Sequence, residues 1–283
     1  MFFKTQSNAT AQEVTSDLFS KKKIKLLVLR VDLIHPITGG NKLFKLKYNL
    51  LKAKEERQDT LLTFGGAYSN HIAATALAGK ENGFKTIGII RGEKNLPLNK
   101  TLQFATDCGM QLEFVSREDY RMKETPEFIH TLIQKFNHFY LIPEGGNNFH
   151  GEKGCKEIVD LIHFNFDYIC CAVGTGTTLT GIAQSLKPNQ TAIGISVSND
   201  KSVSDKMPTA NCQLFFDYVF GGYAKTNSVL NNFVTDFNVS TGVAIEPIYT
   251  GKLFFGVYDL IKKNYFKRGS TVVVVHSGGL QYL

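Results

Sequence analysis

The stretch CCAVGTGTTLTGI, residues 170–182, predicts the local structure that decides the fold of this chain. An apolar run ends in Gly-Thr-Gly-Thr-Thr, and a helical pattern follows directly. This order indicates a buried strand, a tight turn of small residues and a helix. The backbone amides of such a turn can close on an anion, and threonine hydroxyls add donors. Two interpretations of residues 174–178 stay open here, a phosphate-binding turn and a purely structural turn.

The same order of strand, turn and helix recurs along the whole chain. The apolar, strand-like runs are 25–31, 60–64, 86–90, 111–115, 139–142, 168–173, 191–197 and 271–275. The helical patterns are 44–57, 70–80, 100–108, 126–136, 152–162, 178–186, 228–237 and 252–262. Such alternation predicts an α/β fold, in which helices cover both faces of parallel sheets. These sheets bind ligands beyond the carboxyl ends of their strands, so the strand-to-helix turns are the candidate sites.

Composition excludes several classes of protein. The chain is 43% hydrophobic and 20% charged, as in ordinary globular proteins, and no apolar run is long enough for a membrane span. The start MFFKTQSNATAQEV lacks the apolar core of a secretory signal. Five cysteines without CxxC spacing predict reduced thiols, neither a metal site nor a disulfide framework, and a cytoplasmic protein.

The net charge of +7 raises the question of nucleic acid binding. The densest basic cluster lies directly before an apolar run and is typical of a solvated strand start; it consists of Lys21, Lys22, Lys23 and Lys25. A modest basic excess also suits a phosphate-bearing cofactor and carboxylate substrates. We therefore expect no nucleic acid partner.

Two further turns carry candidate chemistry. In TGGNKLFKLKYNLLKAKEE, residues 38–56, Lys42 stands at the start of a helix, whose positive end and low hydration would free its amine for imine formation. The alternative is a solvent-facing lysine. In TFGGAYSNHIAATALA, residues 63–78, Ser69 is a candidate helix cap. Its hydroxyl and the amides of Asn70 and His71 could hold a carboxylate, although capping alone also explains the serine.

A fourth pair of segments lies near the end of the chain. In AIEPIYTGKLFFGVYDL, residues 244–260, Tyr249 and Thr250 precede an amphipathic helix. In VVVVHSGG, residues 272–279, Ser277 ends a strand before two glycines. Each of these residues has an ordinary structural explanation when it is taken alone.

Taken in this order, the four segments resemble the family of 1-aminocyclopropane-1-carboxylate deaminase and D-cysteine desulfhydrase. These are lyases and deaminases that use pyridoxal 5′-phosphate (PLP) and share the fold of the tryptophan synthase β subunit. GGNKLFKL, residues 39–46, is the most specific part of a resemblance that runs from residue 28 to residue 279. It implies a larger cofactor-binding domain of residues 1–45 and 151–283, a smaller inserted αβα domain of residues 46–150, and a homodimer.

The resemblance also implies roles for single residues. Lys42, directly after GGN, would be the Schiff-base lysine, and Lys45 would lie near the cofactor phosphate. Ser69 and Tyr249 would act on the substrate with Lys42, while the Asn70 side chain would bind the phenolic oxygen of the cofactor. Substrate-binding residues are Ser69, Asn70, His71 and Tyr249. Residues for the phosphate loop are Gly174, Thr175, Gly176, Thr177 and Thr178.

Two positions bear on the reaction. Deaminases of this family carry glutamate after the tyrosine and leucine before the final Gly-Gly, whereas desulfhydrases carry serine or threonine at both. Thr250 and Ser277 therefore favour D-cysteine desulfhydrase, which forms pyruvate, ammonia and sulfide. The alternatives are 1-aminocyclopropane-1-carboxylate deamination to 2-oxobutyrate and ammonia, or a non-catalytic PLP- or nucleotide-binding module. Tyr68 replaces the usual glutamine before Ser-Asn-His, which leaves the identity of the small amino-acid substrate open.

Overall fold

The computed structural model describes residues 9–35, 39–207 and 211–279, with the side chain of residue 206 left out. The chain divides into two compact units. The inserted unit is Lys42–Gly151, and the larger unit is formed by Thr5–Asn41 and Glu152–Gln281. In this division the inserted unit begins at Lys42, the second residue of a helix that starts at Asn41, whereas the predicted bounds were 46 and 150. Thr38, where the lysine-bearing segment was taken to begin, lies outside the described residues.

The larger unit is built on a six-stranded sheet in the order β1-β2-β10-β7-β8-β9. Strand β1 is antiparallel to β2, and the remaining neighbours are parallel. The strands are β1 (Ala11–Val14), β2 (Lys25–Leu29), β7 (Tyr168–Val173), β8 (Thr191–Ser196), β9 (Cys212–Phe215) and β10 (Thr271–Val275). The helices are α1 (Asp17–Lys22), α7 (Phe149–Asp160), α8 (Thr177–Ala183), α9 (Ser228–Thr241) and α10 (Thr250–Lys262). Helix α10 packs on β7 and β8, which brings its first residues to the carboxyl ends of those strands.

The inserted unit is built on a four-stranded parallel sheet in the order β5-β4-β3-β6. The strands are β3 (Thr60–Gly66), β4 (Lys85–Arg91), β5 (Met110–Val115) and β6 (Tyr140–Ile142). The helices are α2 (Asn41–Glu55), α3 (Asn70–Asn82), α4 (Lys100–Asp107), α5 (Arg117–Arg121) and α6 (Pro126–Phe136). Ile89 and Ile90 of β4 belong to two separate core clusters, because successive strand residues point to opposite faces. Both faces of this sheet are therefore covered.

The predicted α/β class with parallel sheets is confirmed. Every predicted strand overlaps an observed one, and 168–173 and 271–275 agree at both ends. Strands β1 and β9 were missed because they are short, lie at the sheet edges and have too few buried residues to give a continuous apolar run. Among the described residues, no helix is both long and apolar enough to cross a membrane.

Candidate active site

The residues before Lys42 are held by direct contact between two glycine-rich backbones of the larger unit. Gly40 has φ +130° and forms an isolated antiparallel bridge with Gly278. A methyl group at Gly40 would overlap the carbonyl oxygen of Ser277, so only glycine permits this approach. The amide of Asn41 donates to that same carbonyl at 3.3 Å. Gly40 and Asn41, the two residues before Lys42, are thus joined to Ser277 and Gly278 through main-chain contacts.

Asn41 also ties the lysine segment to the turn that follows β7. Its Nδ2 donates to Oγ1 of Thr178 at 2.8 Å, and both side chains are buried. The thiol of Cys155, from α7, lies 3.9 Å from the same hydroxyl. A buried hydrogen bond between neutral groups contributes about 1 kcal/mol and costs more when one partner is removed. The two candidate segments of the larger unit therefore form one connected structure.

The turn at residues 174–178 leads from β7 directly into helix α8. Gly176 occupies the position before α8 with φ +88°, and no side chain caps the helix. The hydroxyls of Thr175 and Thr177 lie 3.1 Å apart on the same turn. The first amides of α8 are consequently not satisfied by a side-chain cap, as in turns that receive phosphate.

In the inserted unit, Ser69 caps helix α3. Its Oγ accepts from the amide of Ile72 at 3.4 Å, and its backbone is extended. Ser69 and Asn70 are half-buried, and His71 is buried. The predicted capping of α3 is present, and the half-buried hydroxyl and amides stand at the end of β3, where parallel sheets bind their ligands.

The side chain of His71 is oriented by Thr63 of β3. Oγ1 of Thr63 donates to the carbonyl of Ile142 at 2.8 Å and lies 2.9 Å from Nε2 of His71. Because the single hydroxyl hydrogen is used by the carbonyl, Nε2 must carry the hydrogen and donate to Oγ1. Nδ1 is buried and makes no hydrogen bond of normal geometry among the described residues.

Two lysines give this part of the inserted unit a positive potential. Burial, and then the positive charges of Lys42 and Lys45, hold the pKa of His71 well below its ordinary value. Lys42 is half-buried and Lys45 is only 4% exposed. A methyl group at Gly146 would lie 3.0 Å from Cβ of Lys45, so glycine leaves room for the lysine stem. The two amines, rather than the neutral imidazole, would attract an anionic ligand here.

Glu246, which the sequence analysis did not single out, organises the start of α10. Its carboxylate accepts from the amides of Ile248, Tyr249 and Thr250 at 2.6, 2.9 and 2.7 Å. It also accepts from the hydroxyl of Thr250 at 3.0 Å, while the amide of Glu246 donates back to that hydroxyl at 2.9 Å. Thr250 is fully buried, so its hydroxyl is engaged with Glu246. A carboxylate followed by proline just before a helix was the signal that could have revealed this cap.

Tyr249 lies beside the turn at 174–178 and pairs with a second tyrosine. A methyl group at Gly174 would lie 3.5 Å from Cε1 of Tyr249. The hydroxyl of Tyr249 is 3.1 Å from that of Tyr223, and the ring centroids are 5.8 Å apart in an edge-to-face arrangement. Tyr223 is half exposed and was not predicted, since nothing in its local sequence distinguishes it.

His276 fixes the backbone on the other side of Ser277. Its Nε2 lies 2.6 Å from the carbonyl of Ala244, so Nε2 donates, and Nδ1 accepts from the amide of Gly278 at 3.3 Å. Asp32 lies 3.5 Å from Nδ1 and forms a bidentate pair with Arg30. The fully buried imidazole thus sets the course of the chain through Ser277.

Comparison with known proteins shows the family of this chain. The family model described as "Pyridoxal-phosphate dependent enzyme" matches residues 13–278. A Pyrococcus furiosus protein named "Putative 1-aminocyclopropane-1-carboxylate deaminase" is 30% identical over 90% of this chain and 84% of its own length. The "D-cysteine desulfhydrase" of Klebsiella pneumoniae is 26% identical over 90% of this chain and 87% of its own.

A crystal structure described as an ACC deaminase homologue superimposes with a TM-score of 0.84 at 25% identity, covering 97% of this chain and 90% of that one. The resemblance inferred from the four sequence segments is confirmed. This chain belongs to the family of pyridoxal-phosphate-dependent enzymes.

Proposed function

We propose that this enzyme releases sulfide and ammonia from D-cysteine and leaves pyruvate. The observation that carries the proposal is the chemistry of the first residue of α10. Residue 250 is a threonine where the deaminases of the resembled group carry a glutamate, and residue 277 is a serine where they carry a leucine. The nearby carboxylate of Glu246 is engaged in the cap of α10, where Oε1 accepts three hydrogen bonds and Oε2 accepts one.

This difference matters because of how the ring nitrogen of the cofactor is controlled. A carboxylate beside a pyridine nitrogen keeps it protonated and strengthens electron withdrawal, whereas a hydroxyl leaves it neutral more readily. Opening an unactivated cyclopropane ring needs the stronger electron withdrawal. Expulsion of a thiolate needs less, because sulfide is a good leaving group. Hydroxyls at Thr250 and Ser277 therefore suit elimination.

The residues of the two units fit the cofactor of the family. In the inserted unit, Lys42 and Lys45 bring two positive charges close to the buried His71. In the larger unit, the turn at 174–178 begins a helix that has no side-chain cap. When bound, PLP withdraws electrons from the α-carbon of an amino acid.

We assign the cofactor contacts residue by residue. Lys42 would bind it covalently through Nζ, Lys45 would support the phosphate, and Asn70 would donate to the phenolic oxygen. The amides and hydroxyls of the turn would hold the phosphate, while Thr250 and Ser277 would face the ring nitrogen. Because the Thr250 hydroxyl hydrogen is shared with Glu246, we expect Ser277 to be the stronger donor of the two. The phosphate-loop residues are Gly174, Thr175, Gly176, Thr177 and Thr178.

The substrate contacts follow the same reasoning. The hydroxyl of Ser69 and the amides of Asn70 and His71 would receive the substrate carboxylate, because the positive end of α3 favours an anion. Nζ of Lys42 would take the proton from the α-carbon, and the hydroxyl of Tyr249 would orient the substrate or pass a proton to it. We also propose a homodimer, which light scattering after size-exclusion chromatography would test.

Deamination of 1-aminocyclopropane-1-carboxylate is the second candidate. Relatives from Pyrococcus furiosus and Thermotoga maritima carry that name, and an Arabidopsis thaliana relative is named as bifunctional for both reactions. The third possibility from the sequence, a non-catalytic binding module, is not retained because the chain belongs to an enzyme family.

A product assay separates the two candidates. Holoenzyme would be incubated with D-cysteine, L-cysteine, D-serine and 1-aminocyclopropane-1-carboxylate, and sulfide, pyruvate and 2-oxobutyrate would be measured. We expect sulfide from D-cysteine and negligible 2-oxobutyrate. The double variant Thr250→Glu with Ser277→Leu should shift the ratio towards 2-oxobutyrate, whereas Thr250→Ser, which keeps a hydroxyl, should not. Efficient 2-oxobutyrate formation by the unmodified enzyme would show that these two positions do not set the reaction.

A further inference from the structure

Lys252 is a fully buried lysine whose charge is held by main-chain carbonyl groups of the larger unit. Its Nζ lies 3.2 Å from the carbonyl oxygen of Val197, 2.8 Å from that of Val219 and 2.7 Å from that of Gly222. A neutral amine has two hydrogens, so three acceptors require the protonated ammonium. Burial lowers the pKa of Lys252, and the negative charge of Glu246 opposes that effect.

The three carbonyl groups come from two segments that are distant in sequence. Val197 directly follows β8, and Val219 and Gly222 bracket a turn. The turn has positive φ at Phe220, Gly221 and Gly222, with values of 51°, 90° and 123°. A left-handed backbone at three successive residues, one of them not glycine, persists only where surrounding contacts hold it. The ammonium supplies two such contacts, one at each end of the turn.

The turn at residues 219–222 leads directly to Tyr223, whose side chain contacts Tyr249. Tyr223 follows Gly222 in the chain, and its hydroxyl is 3.1 Å from the hydroxyl of Tyr249. Tyr249 stands at the position before α10, and Lys252 lies in the first turn of the same helix. The start of α10 therefore bears both Tyr249 and Lys252, whose ammonium contacts the turn that carries Tyr223.

We propose that Lys252 is a positioning residue for the Tyr223–Tyr249 pair. Its ammonium fastens the turn to the end of β8 and to α10, which places the hydroxyl of Tyr223 against that of Tyr249. The functional consequence rests on the proposed role of Tyr249 towards the substrate. The contact of Lys252 with the turn does not depend on that proposed role.

A double-mutant cycle tests the functional part. Lys252→Met keeps an unbranched side chain that is one atom shorter and removes the ammonium with its three N–H donors. Tyr223→Phe removes the hydroxyl that contacts Tyr249. When Tyr223 is present, Lys252→Met should lower kcat/KM at least about tenfold. When it is combined with Tyr223→Phe, the same substitution should lower kcat/KM less than about twofold. Lys262→Met, an exposed lysine of the same helix, is the matched control and should change neither value. If the losses of the two single variants multiply, Lys252 does not act through Tyr223 and the proposal is wrong.

Limited proteolysis of the holoenzyme tests the fastening without any assay of turnover. Lys225 is exposed next to the turn, so trypsin should cut after it at least about tenfold faster in Lys252→Met than in the unmodified protein. Cleavage after Lys94, in an exposed loop of the inserted unit, serves as the internal reference. An unchanged ratio of the two cleavages would overturn the proposal.

Two provisions keep the outcomes distinct. If Lys252→Met fails to fold, Gly222→Ala strains the same turn through its φ of 123° and leaves the lysine in place, and it should give the same non-additive cycle with Tyr223→Phe. If the unmodified enzyme acts on none of the four amino acids, the proposed function fails. The proteolysis ratio still decides whether Lys252 fastens the turn.

Discussion

Replacing Glu246 by glutamine should destabilise the larger unit and displace Tyr249. The change keeps the shape of the side chain and removes its charge. With the amide oxygen in place of Oε1, the three bonds to Tyr249 and Thr250 remain but lose their charge assistance. The amide nitrogen then faces the amide of Ile248 across 2.6 Å, so two donors oppose each other. In the other orientation the amide nitrogen replaces Oε1, and the three hydrogen bonds from Tyr249 and Thr250 are lost instead of the one from Ile248.

The magnitude follows from these contacts. A hydrogen bond to a charged group contributes about 1.5–3 kcal/mol, and a buried donor left without an acceptor costs about 1–3 kcal/mol. Allowing for partial relaxation, we expect a loss of about 3 kcal/mol in the free energy of unfolding of the larger unit. That corresponds to a decrease of roughly 6–12 °C in its melting temperature.

Differential scanning calorimetry of the holoenzyme at pH 7 measures this change. Glu127→Gln is the matched control, since Glu127 is an exposed carboxylate in the first turn of α6 and its loss should move the melting temperature by less than about 2 °C. Turnover by Glu246→Gln should also fall, because Tyr249 is the residue directly before the helix that loses its cap. A Glu246→Gln protein that melts with the control and retains full turnover would refute the capping argument.

Gly40→Ala should cost more than about 3 kcal/mol and weaken cofactor retention, because the added methyl overlaps the backbone at Ser277; Gly83→Ala, with positive φ but open space, should cost only about 1 kcal/mol. Equal losses of unfolding free energy in Gly40→Ala and Gly83→Ala, measured by urea unfolding, would contradict this. Burial and neighbouring charge lower the pKa of His71, so its stabilisation is present above about pH 6.5 and is lost as the pH falls through the lowered pKa. The free energy of unfolding should therefore decrease less steeply from pH 7.5 to pH 5 in His71→Asn than in the unmodified protein. The control His130→Asn, at an exposed histidine, should show the same slope as the unmodified protein. Identical slopes in the two variants and the unmodified protein would show that His71 protonates freely. Ser69→Ala should raise KM for the amino acid at least about tenfold and change the dissociation constant of the cofactor less than twofold, and the reverse pattern in kinetics and cofactor titration would leave the serine with a capping role alone.

The sequence was most informative where structure is determined locally. Strands β7 and β10 are buried at every residue after the first, so their bounds could be predicted directly. Strands β1 and β9 lie at sheet edges with mixed burial, and their pairing depends on neighbours that are distant in sequence. The short helices α1 and α5 carry serine caps, but their five or six residues are too few for a clear helical period.

Some residues of the candidate site likewise have a local sequence signal, and others have none. Ordered motifs point to Lys42 and Ser69, because glycines and caps leave a signature within a few residues. The engagement of Thr250 with Glu246 depends on which way a buried hydroxyl turns, and motif order carries no information on that. The contact between Tyr223 and Tyr249 requires a turn of unusual backbone to be held by Lys252, so no local pattern predicts it.

The central claim, that Lys42 is the residue that holds the cofactor, can be tested by borohydride reduction of the holoenzyme followed by digestion and mass spectrometry. We expect the pyridoxyl mass on the peptide that contains Lys42, with loss of the visible absorption band. Lys42→Ala should abolish both the label and turnover, whereas Lys47→Ala, a half-buried lysine of the same helix, should retain both. A pyridoxyl mass on Lys45 or Lys47 of the unmodified protein, with Lys42 unlabelled, would contradict the account.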